Sequence, residues 1–276
     1  MTIRRRRICI LPWYGGKTSH LAWLLPLLPK CRHYCEPFGG SAAVLLNRDP
    51  SPIETYNDID GELVNFFRVL RDDGSKLVAS IFLTPYAREE YNLACARQEN
   101  ISSFERARRF CVRALQCYGG IGPVATYGSW AYDVGTCRSR RVGRWQTCLD
   151  DLVRAIDRLR RVQIENRPAI DLIKKLDSPD TLFYCDPPYI HSTRVGSKNM
   201  YAYEMTDDEH KELAEILNQA KSMIAVSGYD CPLARSLYPE PKWRRVEHKS
   251  RTTFNYRGPR TEILWMNYDL KSIYDW

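Results

Sequence analysis

Three short β-like runs constrain this chain more than any other feature, because each ends in a polar or glycine-rich turn and is followed by a helical pattern. His33-Tyr-Cys-Glu36 runs into Pro37-Phe-Gly-Gly-Ser41, Ile53-Glu-Thr-Tyr56 into Asn57-Asp58, and Thr181-Leu-Phe-Tyr-Cys185 into Asp186-Pro-Pro-Tyr189. Short runs with β-branched and aromatic residues bounded by Gly, Pro, Asn and Asp read as strands. The helical patterns after them span Ala42 to Asn47, Leu63 to Arg71, and a segment starting near Thr206. Strand, turn and helix in repetition predict an α/β fold with a doubly wound parallel sheet. Thr206 and Glu209 form a capping-box pattern, and Leu213, Ile216 and Leu217 supply one apolar face behind it. Met223 to Ser227 follows as a strand. Trp243 to Lys249 and Thr261 to Tyr268 read as a longer antiparallel pair at a sheet edge, joined across Arg257-Gly258-Pro259.

Between the second and third runs the pattern changes. Residues 72–161 show helical periodicity and the string Tyr118-Gly-Gly-Ile-Gly122, so they read as a mainly helical insert over the carboxyl edge of the sheet, with 1–71 and 162–276 forming the α/β domain. The net charge of +8 is concentrated in and near this insert: from Arg97 to Arg167 there are fourteen arginines, no lysine and seven acids. Arginines neutralise phosphates and release counterions, and Phe110, Tyr118, Tyr127, Trp130, Tyr132 and Trp145 are interleaved with them. A set of solvated helix faces is the competing reading. The cluster as a whole favours nucleic acid, with Tyr118, Arg138, Arg140, Arg141 and Arg144 as candidate contacts.

At 276 residues the chain has room for one sizeable core plus a subdomain. The longest apolar run, Leu21 to Leu28, is broken by Pro26, so no membrane span is expected. Ten cysteines are scattered without a C-x-x-C pair, which predicts reduced thiols in a cytoplasmic protein and no metal site. Arg4 to Arg7 read as a solvated basic N-terminus.

Asp186-Pro-Pro-Tyr189 carries the sharpest chemistry. The lone pair of an adenine N6 amine is delocalised into the ring, so the nitrogen must be drawn toward tetrahedral geometry before it attacks a methyl group. Asp186 carboxylate and Pro187 carbonyl offer two acceptors for the two amine hydrogens, Pro187 and Pro188 stiffen the turn, and Tyr189 offers a stacking face for an extruded base. A plain Pro-Pro turn is the competing reading. In Glu36-Pro-Phe-Gly-Gly-Ser41, glycines after a strand let a ligand approach the backbone and an acid can hold a cationic amine. Asp58, at the next strand end, is placed for a ribose diol. Trp13-Tyr-Gly-Gly-Lys17 adds a close turn, a lysine for a carboxylate and an indole for packing. His191, just past the catalytic candidate, reads as a loop residue.

Taken in order, these elements resemble the Dam-like family of DNA adenine methyltransferases: W-x-G-G-K at Trp13 to Lys17, E-P-F-x-G at Glu36 to Gly40, N-D-I at Asn57 to Ile59, D-P-P-Y at Asp186 to Tyr189, and T-E-I-L-x-x-N-Y at Thr261 to Tyr268. The resemblance implies a Rossmann-like methyltransferase sheet with an inserted target-recognition subdomain. It implies S-adenosylmethionine held by Trp13, Lys17, Glu36, Phe38, Gly39, Gly40, Asp58 and Asp186, and a flipped adenine of double-stranded DNA gripped by Asp186 to Tyr189. An RNA or other base-amine methyltransferase, or an inactive DNA-binding relative, are the alternatives. Two departures stand out. Asn166-Arg167 replaces the acidic pair that family members often carry after the strand at Val162 to Ile164, and Gly119 to Pro123 replaces the asparagine- and arginine-bearing string of GATC-specific relatives.

Overall fold

The computed structural model describes residues 6–13, 15–96, 98–118, 129–134, 140–193, 203–251 and 259–270, with backbone alone at 140, 250–251 and 259–260. Among the described residues seven strands form one sheet: β1 (His33–Glu36), β2 (Ile53–Asn57), β3 (Val162–Glu165), β4 (Thr181–Cys185), β5 (Met223–Tyr229), β6 (Arg244–Arg251) and β7 (Pro259–Met266). Their order is β3-β2-β1-β4-β5-β7-β6. β1 pairs in parallel with β2 and β4, and β4 with β5, whereas β7 runs antiparallel to β5 and β6. The α/β sheet with a parallel centre expected from the strand-turn-helix pattern, a Rossmann-like methyltransferase sheet as the resemblance implies, is therefore present, with the expected antiparallel pair at one edge.

Helices are α1 (Leu21–Leu24), α2 (Gly61–Asp72), α3 (Gly74–Leu83), α4 (Arg88–Cys95), α5 (Ser103–Gln116), α6 (Arg140–Leu159), α7 (Ala169–Leu176), α8 (Asp207–Gln219) and α9 (Pro232–Leu237). The starts of α2, α5 and α8 follow capping chemistry, in which a side-chain oxygen satisfies the first free N–H groups. Asp60 accepts from the backbone of Glu62 and Leu63 at α2, Ser102 from Glu105 at α5, and Thr206 and Glu209 complete the expected capping box at α8.

The stretch from Ala42 to Asn47 is not the expected helix. It is a run of turns: Ala42 sits at φ 54°, a left-handed entry that interrupts helical geometry, and the Asn47 amide donates to the carbonyls of Ala43 and Ile8. Arg6 and Arg7, expected to be merely solvated, are exposed but engaged. Arg6 donates to Thr147 O and lies 3.4 Å from Asp151, and Arg7 donates to Thr18 O.

Two units divide the chain. The first comprises Met1–Leu21, Gly40–Arg48 and Asp60–Ile164, and the second Ala22–Gly39, Asp49–Ile59 and Glu165–Trp276. In the first, α2 to α6 bury Phe66, Phe67, Phe110, Leu77 and Leu152. In the second, Phe183, Cys185, Ile224, Val226, Ile263 and Trp265 from the sheet pack with Leu213 and Leu217 of α8. The end of β7 is stapled to the start of β5 by Asn267, which accepts from Ile224 N at 2.7 Å and donates to Ser222 O at 2.9 Å. Tyr268 donates to Leu27 O. Two residues of the T-E-I-L-x-x-N-Y element are thus structural fasteners. Among the described residues no helix is long and apolar enough to cross a membrane.

Candidate active site

Ligands of open α/β sheets bind outside the carboxyl ends of the strands where the strand order reverses. Here that point lies between β1 and β4, which pair in the register Cys35↔Phe183. The residues that end these strands are Glu36 and, one step past β4, Asp186. Glu36 is buried and accepts from Tyr34 Oη at 2.7 Å. Asp186 is half-buried, Pro187 is buried, and Pro188 is half-buried.

Tyr189 is more enclosed than its expected stacking role suggests, being only 8% exposed. Its hydroxyl donates to Glu262 Oε1 of β7, and its ring meets Tyr229 edge to face at 4.7 Å. Burial, reinforced by the negative charges of Asp186 and Glu262, pushes the Tyr189 phenol well above its ordinary range, so it remains a donor. Burial also pushes the Cys185 thiol up, with Asp186 adding to the effect; this cysteine is a core residue, not a nucleophile.

At the end of β2, Asn57 is fully buried and acts as a clamp. Its amide donates to Pro37 O at 2.8 Å and to Arg167 O at 3.0 Å, while its carbonyl accepts from Arg167 N at 3.1 Å. Asn166, standing where relatives often carry an acid, donates to Asp58 O at 2.8 Å, and Arg167 pairs with Glu165 at 2.7 Å. The departure from the family pattern is therefore filled by a network that fixes the Asp58 backbone. Phe38 packs against the sheet core. A Cβ on Gly39 would lie 2.2 Å from the Tyr56 ring, so this glycine is required by packing.

Within the first unit, Gly40 takes φ +49°, and a Cβ there would come within 2.9 Å of the Trp13 indole nitrogen. Trp13 O accepts from Gly16 N at 3.1 Å, closing the turn that presents Lys17. Lys17 is 4% exposed and donates from Nζ to Gly15 O at 3.0 Å.

The arginines of the helical unit divide. Arg106 pairs with Glu62, Arg108 with Glu105 and Glu90, and Arg109 with Glu105, while Arg113 donates to Ala94 O. Those on α5 are structural. Arg141 pairs with Asp133 at 3.2 Å and lies over the Tyr118 ring at 5.1 Å, whereas Arg144 is exposed. Arg138 and the Arg140 side chain lie outside the described residues. Of the interleaved aromatics, Phe110 and Trp145 belong to the core, and Tyr118 and Tyr132 are 62% and 57% exposed. Tyr127 and the string from Gly119 to Pro123 lie outside the described residues, as does the loop around Gly196. His191 starts a single 3-10 turn, 3.9 Å from Glu204.

Asn57 and Glu262 entered the sequence reading only as letters of the N-D-I and T-E-I-L-x-x-N-Y elements, with no site role, and Tyr229 did not enter it. The available signal for Glu262 was an acid beside the apolar run Ile263 to Met266; its partner, 73 positions away, had no local signature.

The type II methyltransferase M1.LlaDCHI of Lactococcus lactis subsp. cremoris is 25% identical over 96% of this chain and 98% of its own. The retron Ec67 DNA adenine methylase of Escherichia coli is 26% identical over 83% of this chain and 80% of its own. A DNA adenine methylase of Vibrio cholerae is 24% identical over 85% and 86%. A family model described as D12 class N6 adenine-specific DNA methyltransferase matches residues 13–252. With the matched stretch covering β1 to β6, the Asp186 turn and α2 to α6, this chain belongs to the D12 class of N6 adenine-specific DNA methyltransferases.

Proposed function

We propose that this chain methylates adenine N6 in double-stranded DNA with S-adenosylmethionine as donor, acting on a base extruded toward the Asp186 turn. The observation that carries this reading is the turn itself: Asp186 and Pro187 follow β4 at the point where the strand order reverses, with Tyr189 held by hydrogen bond and ring contact.

The chemistry of the available groups fits the donor. Glu36 suits its ammonium, Lys17 its carboxylate and Asp58 its ribose diol; the close Trp13–Gly40 approach sets the W-x-G-G-K turn, leaving the indole to flank the ligand. Gly39 has a packing duty toward Tyr56, so its part is to shape the loop that carries Phe38. When bound, S-adenosylmethionine supplies an electrophilic methyl group.

This chain's own residues then act on the amine. Asp186 carboxylate and Pro187 carbonyl accept its two hydrogens, which draws the nitrogen out of conjugation. The Asp186 bond strengthens as positive charge develops on nitrogen, so it stabilises the transition state more than the bound base. Tyr189 stacks on the base and favours the extruded state. In the helical unit, residues 72–161 serve target recognition, with Tyr118 and the Arg138 to Arg144 group against DNA. Incorporation of methyl groups from labelled S-adenosylmethionine into duplex DNA, compared with structured RNA, tests the proposal; preferential labelling of RNA would overturn it.

A further inference from the structure

A carboxylate in the middle of a sheet is expensive to bury unless it is hydrogen-bonded. Glu262, 2% exposed on β7, lies directly across the β5 pair from Tyr229. Both contact Tyr189, the first by its hydroxyl and the second edge to face at an interplanar angle of 80°. A small recess lies beside the ring, lined by Pro187, Tyr189, Ser227, Tyr229 and Trp265. Burial keeps the phenol protonated and a donor, with the Glu262 side chain as its acceptor.

We infer that Glu262 and Tyr229 are positioning residues that hold the Tyr189 ring in one orientation before the target base arrives. The inference rests on Tyr189 being the stacking face proposed above. A ring already fixed at its tip and at one side loses little freedom when a base stacks on it, so the held geometry favours the extruded state. The effect belongs to base capture, before methyl transfer. Asp186 acts on the amine itself and is outside this contact.

The test uses the full chain and a duplex carrying 2-aminopurine in place of the target adenine, at a site mapped by sequencing methylated adenines from cells expressing the protein. Glu262→Leu and Tyr189→Phe remove opposite ends of one hydrogen bond. Each should lower the flipped-base fluorescence and raise KM for DNA by about tenfold, with a smaller change in kcat. Glu262→Gln keeps an acceptor and should recover most of both signals. The double variant should be no worse than the weaker single one, as expected for two ends of one contact. If Glu262→Leu does not fold, Tyr189→Phe and Glu262→Gln decide the matter. Normal fluorescence and KM in these variants, with only a lowered melting temperature, would overturn the positioning role. Tyr189→Ala, run in parallel, separates the two claims: normal flipping there removes the stacking reading itself, whereas impaired flipping beside normal Tyr189→Phe and Glu262→Leu removes only the inference.

Discussion

The end of β4 and the arginine-rich helices use charge in opposite ways. Around the Asp186 turn the buried acids accept from tyrosine hydroxyls: Glu36 from Tyr34, Glu262 from Tyr189. On α5 the arginines are many, yet Arg106, Arg108 and Arg109 are committed to Glu62, Glu90 and Glu105. A surplus of positive charge along a sequence therefore does not locate a DNA-facing surface. What locates it is which cations keep a solvent-facing head after the acids have taken theirs, and α6, with exposed Arg144, is the better candidate.

The largest effect that could break this contrast is at Asp186. Asp186→Ala should cut the single-turnover methylation rate at least about a hundredfold while cofactor and DNA affinities change little. A near-normal rate would make the turn structural and remove the distinction between the two regions.

Next in size is the cofactor side. Lys17→Ala and Asp58→Ala should each weaken S-adenosylmethionine binding by about tenfold, the size of a lost hydrogen bond to a charged group. Calorimetry reads this directly, and unchanged affinity in both folded variants would withdraw the assignment of these residues.

The α5 network makes a pH prediction. Hydrogen bonds from Arg108 and Arg109 hold the Glu105 carboxyl down to about 2. Because the folded-state pKa is depressed, its stabilising contribution is present above the ordinary glutamate range, near about 4.3, and is lost as pH falls from there toward about 2. Thermal unfolding across that window should fall less steeply in Glu105→Gln than in the parent protein. Equal slopes would show that the network contributes nothing to stability.

The smallest expected effect sharpens the contrast most. Arg144→Ala should weaken binding to all DNA sequences alike and reduce the salt slope by about one, whereas Arg108→Ala should lower the melting temperature and leave that slope alone. A reversed outcome would place the DNA-facing charge on α5.

Much of the fold was legible because its signals are local. A turn after a short apolar run, Thr206 three residues before Glu209, and alternating apolar residues depend on neighbours a few positions away, so β1, β2, β4, β5 and α8 could be read directly. The same logic failed at Ala42 to Asn47, where a left-handed residue and a side chain bonded to Ile8 replace the expected helix. Of the site, the D-P-P-Y turn was readable, since its chemistry is contiguous; its support was not.

Sequence by itself determined which residue types stand at the strand ends and in what order: the acid of β1, the acid after β2 and the Asp186 turn after β4. Only the tertiary structure decided which of the charged and aromatic groups meet. Sheet order places β7 beside β5, which brings Glu262 and Tyr229 onto Tyr189. It likewise sets the Tyr56 ring where Gly39 would carry a Cβ. The physical reason is that hydrogen bonding and packing act over a few ångströms of space and are indifferent to separation along the chain, whereas periodicity and turn chemistry act along the chain alone.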